Sequence, residues 1–578
     1  MRWLAAITYL ALSWAVLVKA TGGFVLSLGW FHFSSRSARN PFLIALVSLV
    51  ATWALSRGGH RDGRAVPATW KRAWPPLVAG FVALALVILG VAKGAHVAGG
   101  ADSYGYVSQA HMWATGALKP AAPGYDVLPP GLSSDTLLPL GYRFAPDRRS
   151  LAPMYAPGLP MQMALFERLG GQGAVFYVMP LLMGVAVWAT YLLGARAGGR
   201  RVGAVAAVLL AASPAVLFQL THAPMSDLPA AAWWTVALAA LVRPSRSAAL
   251  LCGLAAGAAL LTRPNLVLLA IVPGASLLWS ALRSSSTDTG AWHRLTLFAA
   301  GSIPACAAVG VLNDYWYGSP FVSGYGEGLA GTLYRWEHFW PNVQRYASWM
   351  LETEGPTAAL AGLALAVFRR SDRNSADDSA DARHVVAICA TFALSVWLSY
   401  VFYMPFDAWW TLRFLLPAFP AVCVLASVGV FRAAAWLPVT LRSQLVAAAL
   451  AVALWFSLGV VRIYRAEESS SEWRFATMGR SLAQQVPRQS VVLACLHSGS
   501  ARYYADRLTL RWDLIPPSQL DSTVAALQAR GYATFLLLDD EEEGLFRSRF
   551  ASVSRFAALD RAPQTTVPGA ALYRVGPE

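Results

Sequence analysis

Charged side chains are scarce in this chain, and their scarcity indicates its class. Only 13% of the 578 residues are Asp, Glu, Lys or Arg, whereas 56% are hydrophobic. Soluble domains carry about 25% charged residues, so the composition excludes an ordinary soluble protein and indicates one that lies mainly in lipid. The 46 Lys and Arg residues outnumber the 31 Asp and Glu residues, but no basic stripe alternates with aromatic residues. We therefore expect no nucleic-acid partner.

Other features are missing as well. The five cysteines include no CxxC pair, which excludes a zinc site or a disulfide framework of the usual spacing. There is no internal repeat, and this counts against a transporter built from inverted halves. The apolar N-terminal run has no small-residue cleavage site, so we predict an uncleaved first span rather than a signal peptide.

Long apolar runs are abundant and predict about thirteen membrane-spanning helices. The longer runs lie near residues 4–29, 41–55, 75–97, 172–194, 202–220, 228–242, 295–312, 385–403, 411–430 and 444–463. Shorter or broken runs lie near residues 248–262, 266–282 and 356–368. The fold class predicted from this pattern is an α-helical polytopic membrane protein.

Basic clusters between the spans predict the orientation. They contain Arg57, Arg61, Arg64, Lys71, Arg72, Arg196, Arg200, Arg201, Arg243, Arg246, Arg369, Arg370, Arg373, Arg432 and Arg442. The positive-inside rule makes these loops cytoplasmic and places the large loop 98–171 and the tail outside. Compact loops and the Ala-, Arg- and Trp-rich composition favour a bacterial inner membrane.

The chain divides into three predicted parts. Residues 1–60 form an N-terminal transmembrane hairpin, and residues 61–463 form the main transmembrane module with the first outer loop 98–171. Residues 464–578 alternate predicted helices and strands, which is typical of a small extracytoplasmic α/β domain. Its acidic run at 539–543 follows a strand end, where either a solvated turn or a ligand site is expected.

The most informative motif is Asp102-Ser103-Tyr104-Gly105-Tyr106, where an apolar segment ends on a carboxylate. An acid at the membrane edge is costly and is usually retained for function. The long loop behind it is typical of a segment that binds or reacts with something. These features predict a membrane enzyme with its site on the outer face.

Further motifs follow the first one in a fixed order: Asp102-Ser103-Tyr104-Gly105-Tyr106, Tyr155-Ala156-Pro157-Gly158-Leu159-Pro160, His222-Ala223-Pro224-Met225-Ser226-Asp227-Leu228-Pro229, Leu261-Thr262-Arg263-Pro264-Asn265, Gly318-Ser319-Pro320, Gly324-Tyr325-Gly326 and Arg413-Phe414-Leu415-Leu416-Pro417. With these motifs in this order, the sequence from residue 75 to 430 resembles the C-type membrane glycosyltransferases (GT-C), which include the protein O-mannosyltransferases and the lipid A aminoarabinose transferases. The resemblance implies a GT-C fold and transfer of a sugar from a polyprenyl-phosphate donor, with inversion, to a glycan, lipid or protein acceptor on the outer face.

Two acids are the candidate catalytic residues under this resemblance. Asp102 is the expected general base, with the alternative that it only flanks or caps the following loop helix. Asp227 is expected to orient the acceptor, or alternatively to cap the helix that begins at Leu228-Pro229. If the reaction needs a metal, these two carboxylates would hold Mg²⁺ or Mn²⁺. Family members often carry paired acids in the first loop, but here Ser103 follows Asp102, and the metal requirement is left open.

Two arginines are the candidate ligands of the donor phosphate. Arg263 interrupts an apolar stretch, and its charge and fork geometry suit a phosphate. The alternative is a structural pair with a buried acid or carbonyl group. Arg413 suits the same role, or alternatively pairs with the nearby Asp407.

Five further residues are predicted to line a sugar or acceptor cavity: Tyr104, Tyr106, Tyr155, His222 and Trp409. The tyrosines either shape the cavity or pack the loop against the membrane. For Trp409 an interfacial tryptophan belt is the favoured interpretation over stacking on a sugar.

Two other classes of protein compete with the transferase. A transporter or flippase of lipid-linked saccharide would need charges near the middle of several spans and two related halves. A non-catalytic scaffold with a partner-binding tail would leave the acids and arginines of the outer face without a role. A transferase needs Asp102, Asp227, Arg263 and Arg413 to converge in one cavity, whereas a scaffold does not.

Overall fold

A computed structural model gives the fold and describes residues 2–21, 24–28, 31–35, 37, 39–56, 68–284, 289–326, 333–371, 380–554, 556, 558–560 and 562–575. The basic residues Arg57, Arg61, Arg64 and Arg373, which contributed to the predicted orientation, lie outside the described residues.

Helices make up most of the described chain up to residue 464. They are α1 (Arg2–Thr21), α2 (Arg39–Ser56), α3 (Ala68–Lys93), α4 (Asp102–Thr115), α5 (Gly158–Gly170), α6 (Val178–Gly198), α7 (Arg200–Ala211), α8 (Pro214–Thr221), α9 (Asp227–Leu241), α10 (Arg246–Thr262), α11 (Ile271–Arg283), α12 (Thr289–Tyr317), α13 (Phe339–Ser371), α14 (Ala380–Tyr400), α15 (Phe419–Ala435) and α16 (Val439–Tyr464). Short 3₁₀ helices precede α6, α11 and α15 at Gln172–Tyr177, Pro264–Ala270 and Trp409–Ala418.

Seven helices in the described part of the chain are long and apolar enough to cross a membrane, or eight if the bent pair α7–α8 counts as one span. Shorter apolar helices at residues 6–16, 39–52, 227–241 and 246–262 lie where further spans are expected. The chain is therefore an integral membrane protein, whereas the count of thirteen spans stays a prediction.

The first predicted span, residues 4–29, extends too far at its C-terminal end. Helix α1 ends at Thr21, and the strand β1 (Phe24–Leu28) pairs antiparallel with β2 (Phe31–Ser35). Gly22 and Gly23 follow the helix, and glycine is a poor helix former. Apolar character alone therefore did not extend the helix through this segment.

A buried carboxylate sits at the break between α7 and α8, which bend by 56°. The Ser213 hydroxyl donates to Glu354 at 2.6 Å, and the backbone N–H of Ala215 donates to the same oxygen at 3.4 Å. The Ser213 oxygen in turn caps α8 by accepting from Val216 N–H at 3.3 Å. Backbone groups freed by a helix break in lipid need such partners, and Glu354 of α13 supplies one.

The C-terminal unit, residues 473–575, contains a five-stranded mixed sheet. Its strands are β5 (Ser490–Leu493), β6 (Leu508–Leu510), β7 (Ala533–Asp539), β8 (Thr565–Val567) and β9 (Ala570–Val575). The two preceding strands, β3 (Tyr142–Phe144) and β4 (Leu151–Pro153), pair antiparallel with each other in the first loop. The sheet order is β6-β5-β7-β9-β8, and β5 runs parallel to β6 and β7. The helices α17 (Trp473–Gln485), α18 (Ser498–Ala505), α19 (Leu520–Ala529) and α20 (Asp540–Phe550) accompany it.

The acidic run 539–543 starts a helix instead of forming a solvated turn. Asp539 and Glu542 form a capping box at the N-terminus of α20. Asp539 is 1% exposed and accepts a hydrogen bond from Arg474 Nε at 2.6 Å. Acidic residues are favoured in a first helical turn, and this accounts for the run without a ligand.

The first loop packs directly on the C-terminal unit. Leu137 and Tyr142 share one buried cluster with Val491 and Leu510 of the sheet. The loop also accepts hydrogen bonds from the unit, because the Arg530 guanidinium contacts three successive carbonyl groups beginning at residue 126, at 2.9–3.2 Å. Loop and unit therefore lie at the same end of the helical bundle.

Candidate active site

Three helix ends and one 3₁₀ helix meet at one place. Helix α4 begins at Asp102, helix α9 begins at Asp227, and α10 is followed at once by Arg263. Arg413 lies on the 3₁₀ helix Trp409–Ala418. Helix ends place polar side chains beside a membrane bundle without interrupting its apolar interior, so these positions can hold charge close to lipid.

Two acids and two arginines form one ionic cluster there. Arg263 pairs with Asp227, and Arg413 binds Asp102 Oδ2 through Nη1 at 3.2 Å and Nη2 at 3.3 Å. Arg413 Nε is 4.0 Å from Asp227 Oδ2, so this guanidinium lies between both carboxylates. The structure thus brings together the four charged residues singled out in the sequence.

Burial differs across the cluster. The side chain of Asp227 is 4% exposed and that of Arg263 13%, whereas those of Arg413 and Asp102 are 19% and 30% exposed. Arg413 Nε is buried and makes no hydrogen bond within the described residues. A buried donor without a partner is unfavourable, so the cluster has unused capacity for an acceptor such as a phosphate oxygen.

The structural alternatives for these residues can now be judged. Helix α9 has Ser226, not Asp227, at its N-cap position, and Asp102 is the first residue of its helix rather than the cap. Asp407 is exposed and its ion pair is with Arg345 at 3.6 Å, so it is not the partner of Arg413. Arg263 does have a buried acidic partner, Asp227, as one alternative expected.

An aromatic cavity of about 350 Å³ adjoins the cluster. Among its lining residues are Tyr106, Tyr155, Ser226, Arg263, Asn265, Asn313, Tyr325, Tyr334 and Tyr403. Arg263 belongs both to the cavity wall and to the ion pair with Asp227, and it therefore connects the two.

Tyr106 and Tyr155, two of the residues predicted to line a sugar or acceptor cavity, lie in the wall of this cavity. Their rings lie 4.7 Å apart, and the Tyr106 hydroxyl donates to Ser226 Oγ at 2.9 Å. Burial raises the pKa of Tyr106 to about 12, and the nearby Asp102 carboxylate acts in the same direction. The phenol therefore stays protonated and can serve as a hydrogen-bond donor.

Asn265 is a cavity residue to which the sequence assigned no role. Its Nδ2 donates to the Tyr400 hydroxyl at 3.1 Å and to the Tyr334 hydroxyl at 3.3 Å. Asn265 lies two residues after Arg263 in the same sequence motif, and this position could have indicated that it belongs to the site. By contrast, Tyr334 and Tyr403 come from distant segments joined by an isolated bridge, and no local pattern marks them.

Three predicted cavity residues lie elsewhere, and their predicted place is corrected. Tyr104 packs against the C-terminal unit, where a Cβ on Gly499 would be 2.2 Å from its ring. His222 stacks on Phe218 with ring centroids 3.6 Å apart, and Trp409 lies 5.0 Å from that same ring. His222 and Trp409 therefore belong to an aromatic packing cluster and not to the cavity wall.

The donor groups do not fit a metal centre. No group of three or more His, Cys, Asp or Glu side chains is close enough to hold a metal among the residues with described positions. Asp102 and Asp227 are each paired with an arginine. A divalent ion would therefore have to compete with Arg263 and Arg413 for these two carboxylates.

Gly158 is needed where α5 meets the end of α10. A Cβ at this position would lie 2.4 Å from the backbone nitrogen of Thr262, beside Arg263. Because backbone cannot move aside cheaply, we expect Gly158→Ala to lower the free energy of unfolding by about 1–3 kcal/mol. Thermal unfolding of the purified protein in detergent measures this change.

Gly173→Ala is the matched control, because a Cβ at Gly173 meets nothing within 4 Å. Equal melting temperatures for the two variants would contradict the close approach at Gly158.

The fold is similar to that of solved structures of the GT-C kind, the kind that the sequence motifs resemble. The structure of ArnT from Cupriavidus metallidurans bound to undecaprenyl phosphate superposes with a TM-score of 0.54 at 14% identity, over 89% of this chain and all of that one. The apo form of the same protein gives a TM-score of 0.52 at 14% identity, over 87% and 99% of the two chains. The apo oligosaccharyltransferase of Archaeoglobus fulgidus gives 0.50 at 12% identity, over 84% and 72%.

The sequence itself also matches a family in part. Residues 152–306 match the model of the dolichyl-phosphate-mannose-protein mannosyltransferases. This segment contains α5 to α11 with Asp227 and Arg263, and extends into α12. No curated protein has a significantly similar sequence. The resemblance to GT-C glycosyltransferases stated from the motifs is thereby confirmed.

Proposed function

We propose that this protein is an inverting glycosyltransferase that moves a sugar from a polyprenyl-phosphate donor to an acceptor on the outer face of the membrane. The observation that carries the proposal is the convergence of Asp102, Asp227, Arg263 and Arg413 beside an aromatic cavity. A transferase needs a base, a cation for the leaving phosphate and a polar cavity in one place. A scaffold needs none of them.

The arginines suit the phosphate of the donor. Arg413 has a buried Nε without a hydrogen-bond partner in the described structure, and its guanidinium can bind a phosphate in a forked geometry. Departure of polyprenyl phosphate increases the negative charge on the phosphate oxygens. Cations already fixed in a partly dry site stabilise that charge without reorganisation.

Asp102 is the general base of the proposed reaction. Its carboxylate removes the proton from the acceptor hydroxyl while the acceptor oxygen forms a bond to the anomeric carbon. The bond between that carbon and the phosphate oxygen breaks, and its electron pair leaves with polyprenyl phosphate. A phosphate that takes over Arg413 releases Asp102 from its ion pair, so donor binding frees the base. Displacement in a single step inverts the anomeric configuration.

The cavity provides groups suited to a sugar. Tyrosine rings offer apolar faces, while Tyr106, Asn265 and the other hydroxyl and amide groups offer hydrogen bonds. Asp227, fixed by Arg263, orients the acceptor.

The location of the reaction is part of the proposal. The positive-inside rule supports an outer-face position for the end that carries loop 98–171. The compact loops and the Ala-, Arg- and Trp-rich composition support a bacterial inner membrane. The C-terminal unit contacts that loop and therefore shares its side.

The test is transfer of radiolabelled sugar from a panel of polyprenyl-phosphate sugars in membranes with and without the protein. Appearance of labelled acceptor and unlabelled polyprenyl phosphate only with the protein is the expected result. If intact labelled lipid crosses liposome membranes containing the purified protein and no donor is cleaved, the protein is a transporter or flippase and the proposal fails.

A further inference from the structure

The segment that carries Asp102 is held from outside the membrane bundle. Ala95 and Val97 share a buried cluster with Phe475 and Ala476 of the C-terminal unit. The backbone N–H of Ala98 donates to the Tyr504 hydroxyl at 2.8 Å. The unit therefore fixes the chain on the side that precedes the acid.

The ring of Phe475 packs closely against the same segment. A Cβ added to Gly99 would be 2.3 Å from Cδ2 of its ring. Gly100 follows with φ +58°, a left-handed turn that favours glycine and directs the chain into α4. The ring of Phe475 thus blocks any movement of the turn toward the C-terminal unit.

The ring of Phe475 is itself fixed by a buried network. Its ring centroid is 4.6 Å from that of His497 on one side and 4.6 Å from the Arg474 guanidinium carbon. Arg474 Nε donates a hydrogen bond to Asp539 Oδ2 at 2.6 Å, and His497 Nε2 lies 3.4 Å from the same oxygen. The acid that caps α20 thereby stabilises the contact at Gly99.

A second close contact follows the acid. Tyr104, two residues after Asp102, packs its ring on Gly499 at the start of α18, where a Cβ would be 2.2 Å from Cδ1. Ser103 Oγ donates to the Val97 carbonyl at 2.5 Å and closes the turn between the two contacts. Asp102 therefore lies between two fixed points.

We propose that the C-terminal unit positions the carboxylate of Asp102 toward Arg413, with Gly499 and Phe475 as the positioning residues. This inference rests on the proposed function, because it assigns the unit a part in that reaction. A misplacement of about 1 Å in a reacting group can lower the rate 10²-fold. Loss of either close contact is therefore expected to lower the rate of sugar transfer.

The test is Gly499→Ala, which forces Tyr104 away from α18. We expect kcat to fall at least about tenfold while the donor KM changes less than about twofold, because donor contacts are left in place. Hydrogen exchange of a peptide covering residues 95–106 should become at least about tenfold faster in the same variant. The matched control is Gly544→Ala in the same unit, where a Cβ meets nothing within 4 Å, and neither quantity should change.

The double variant Gly499→Ala with Tyr104→Leu removes the clash, and it should recover both kcat and slow exchange relative to Gly499→Ala. Should Gly499→Ala fail to fold, Phe475→Leu loosens the other contact without overpacking and should give the same two changes. Fast exchange with unchanged kcat, or unchanged exchange, would overturn the inference. The exchange measurement needs no sugar transfer, so it separates failure of this inference from failure of the proposed function.

Discussion

Replacing Asp102 by Asn should lower kcat for sugar transfer by about 10²–10⁴-fold. The amide cannot accept the proton of the acceptor hydroxyl, while its size and its ability to accept a hydrogen bond from Arg413 are retained. Initial rates with saturating labelled donor, at equal amounts of folded protein, measure the change. Because Arg413 and Arg263 stay in place, donor KM should move far less than kcat.

Asp126→Asn is the control for Asp102→Asn, because Asp126 is an exposed acid on the same loop. Its kcat should equal that of the wild type. If Asp102→Asn retained wild-type kcat, the base would lie elsewhere, and Asp227 would be the next carboxylate to replace.

Arg413→Ala should reduce kcat/KM by about 10²–10³-fold, the usual effect of losing one donor to a developing anion. The change removes the cation that lies between both carboxylates and leaves Asp102 without its recorded ion-pair partner. Arg413→Lys should recover only part of this loss, because an ammonium group is a point charge without a planar fork. Titration with polyprenyl phosphate as a product inhibitor should show weaker inhibition in both variants.

Arg149→Ala removes an exposed arginine of the first loop and should leave kcat/KM and inhibition unchanged. Equal inhibition of wild type and Arg413→Ala by polyprenyl phosphate would contradict the assignment of Arg413 to the phosphate.

The four charged residues of the cluster could be singled out from sequence because each interrupts or ends an apolar run. That signal is physical, since an isolated charge near lipid is costly. Their pairing was not predictable. An ion pair with Asp407, which is near in sequence, was the alternative interpretation of Arg413, but Arg413 binds Asp102, 311 positions earlier in the chain.

Helical spacing explains the error at Tyr104. Residues four apart share one helix face, whereas residues two apart point in nearly opposite directions. Tyr106 therefore lines the cavity from the helix face that also carries Asp102, while Tyr104 faces the C-terminal unit. The spacing within the first motif therefore predicts which tyrosine shares a helix face with Asp102, provided that the helix is known to begin at Asp102.

The remaining differences arise from contacts between distant segments. Asn265 gains its role from the hydroxyl groups of Tyr334 and Tyr400, and His222 and Trp409 pack with Phe218 and not in the cavity wall. The local sequence does not show which aromatic residues from distant segments pack together. The strands near residues 490, 533 and 570 were predicted, but not that their sheet packs on the loop behind Asp102.

The most direct test of the account is a cryo-EM structure of the protein with bound polyprenyl phosphate. We predict phosphate oxygens within about 4 Å of the guanidinium groups of Arg413 and Arg263, with Asp102 facing the open side of the cavity. A phosphate bound away from both arginines would contradict the central claim that this cluster is the site of sugar transfer.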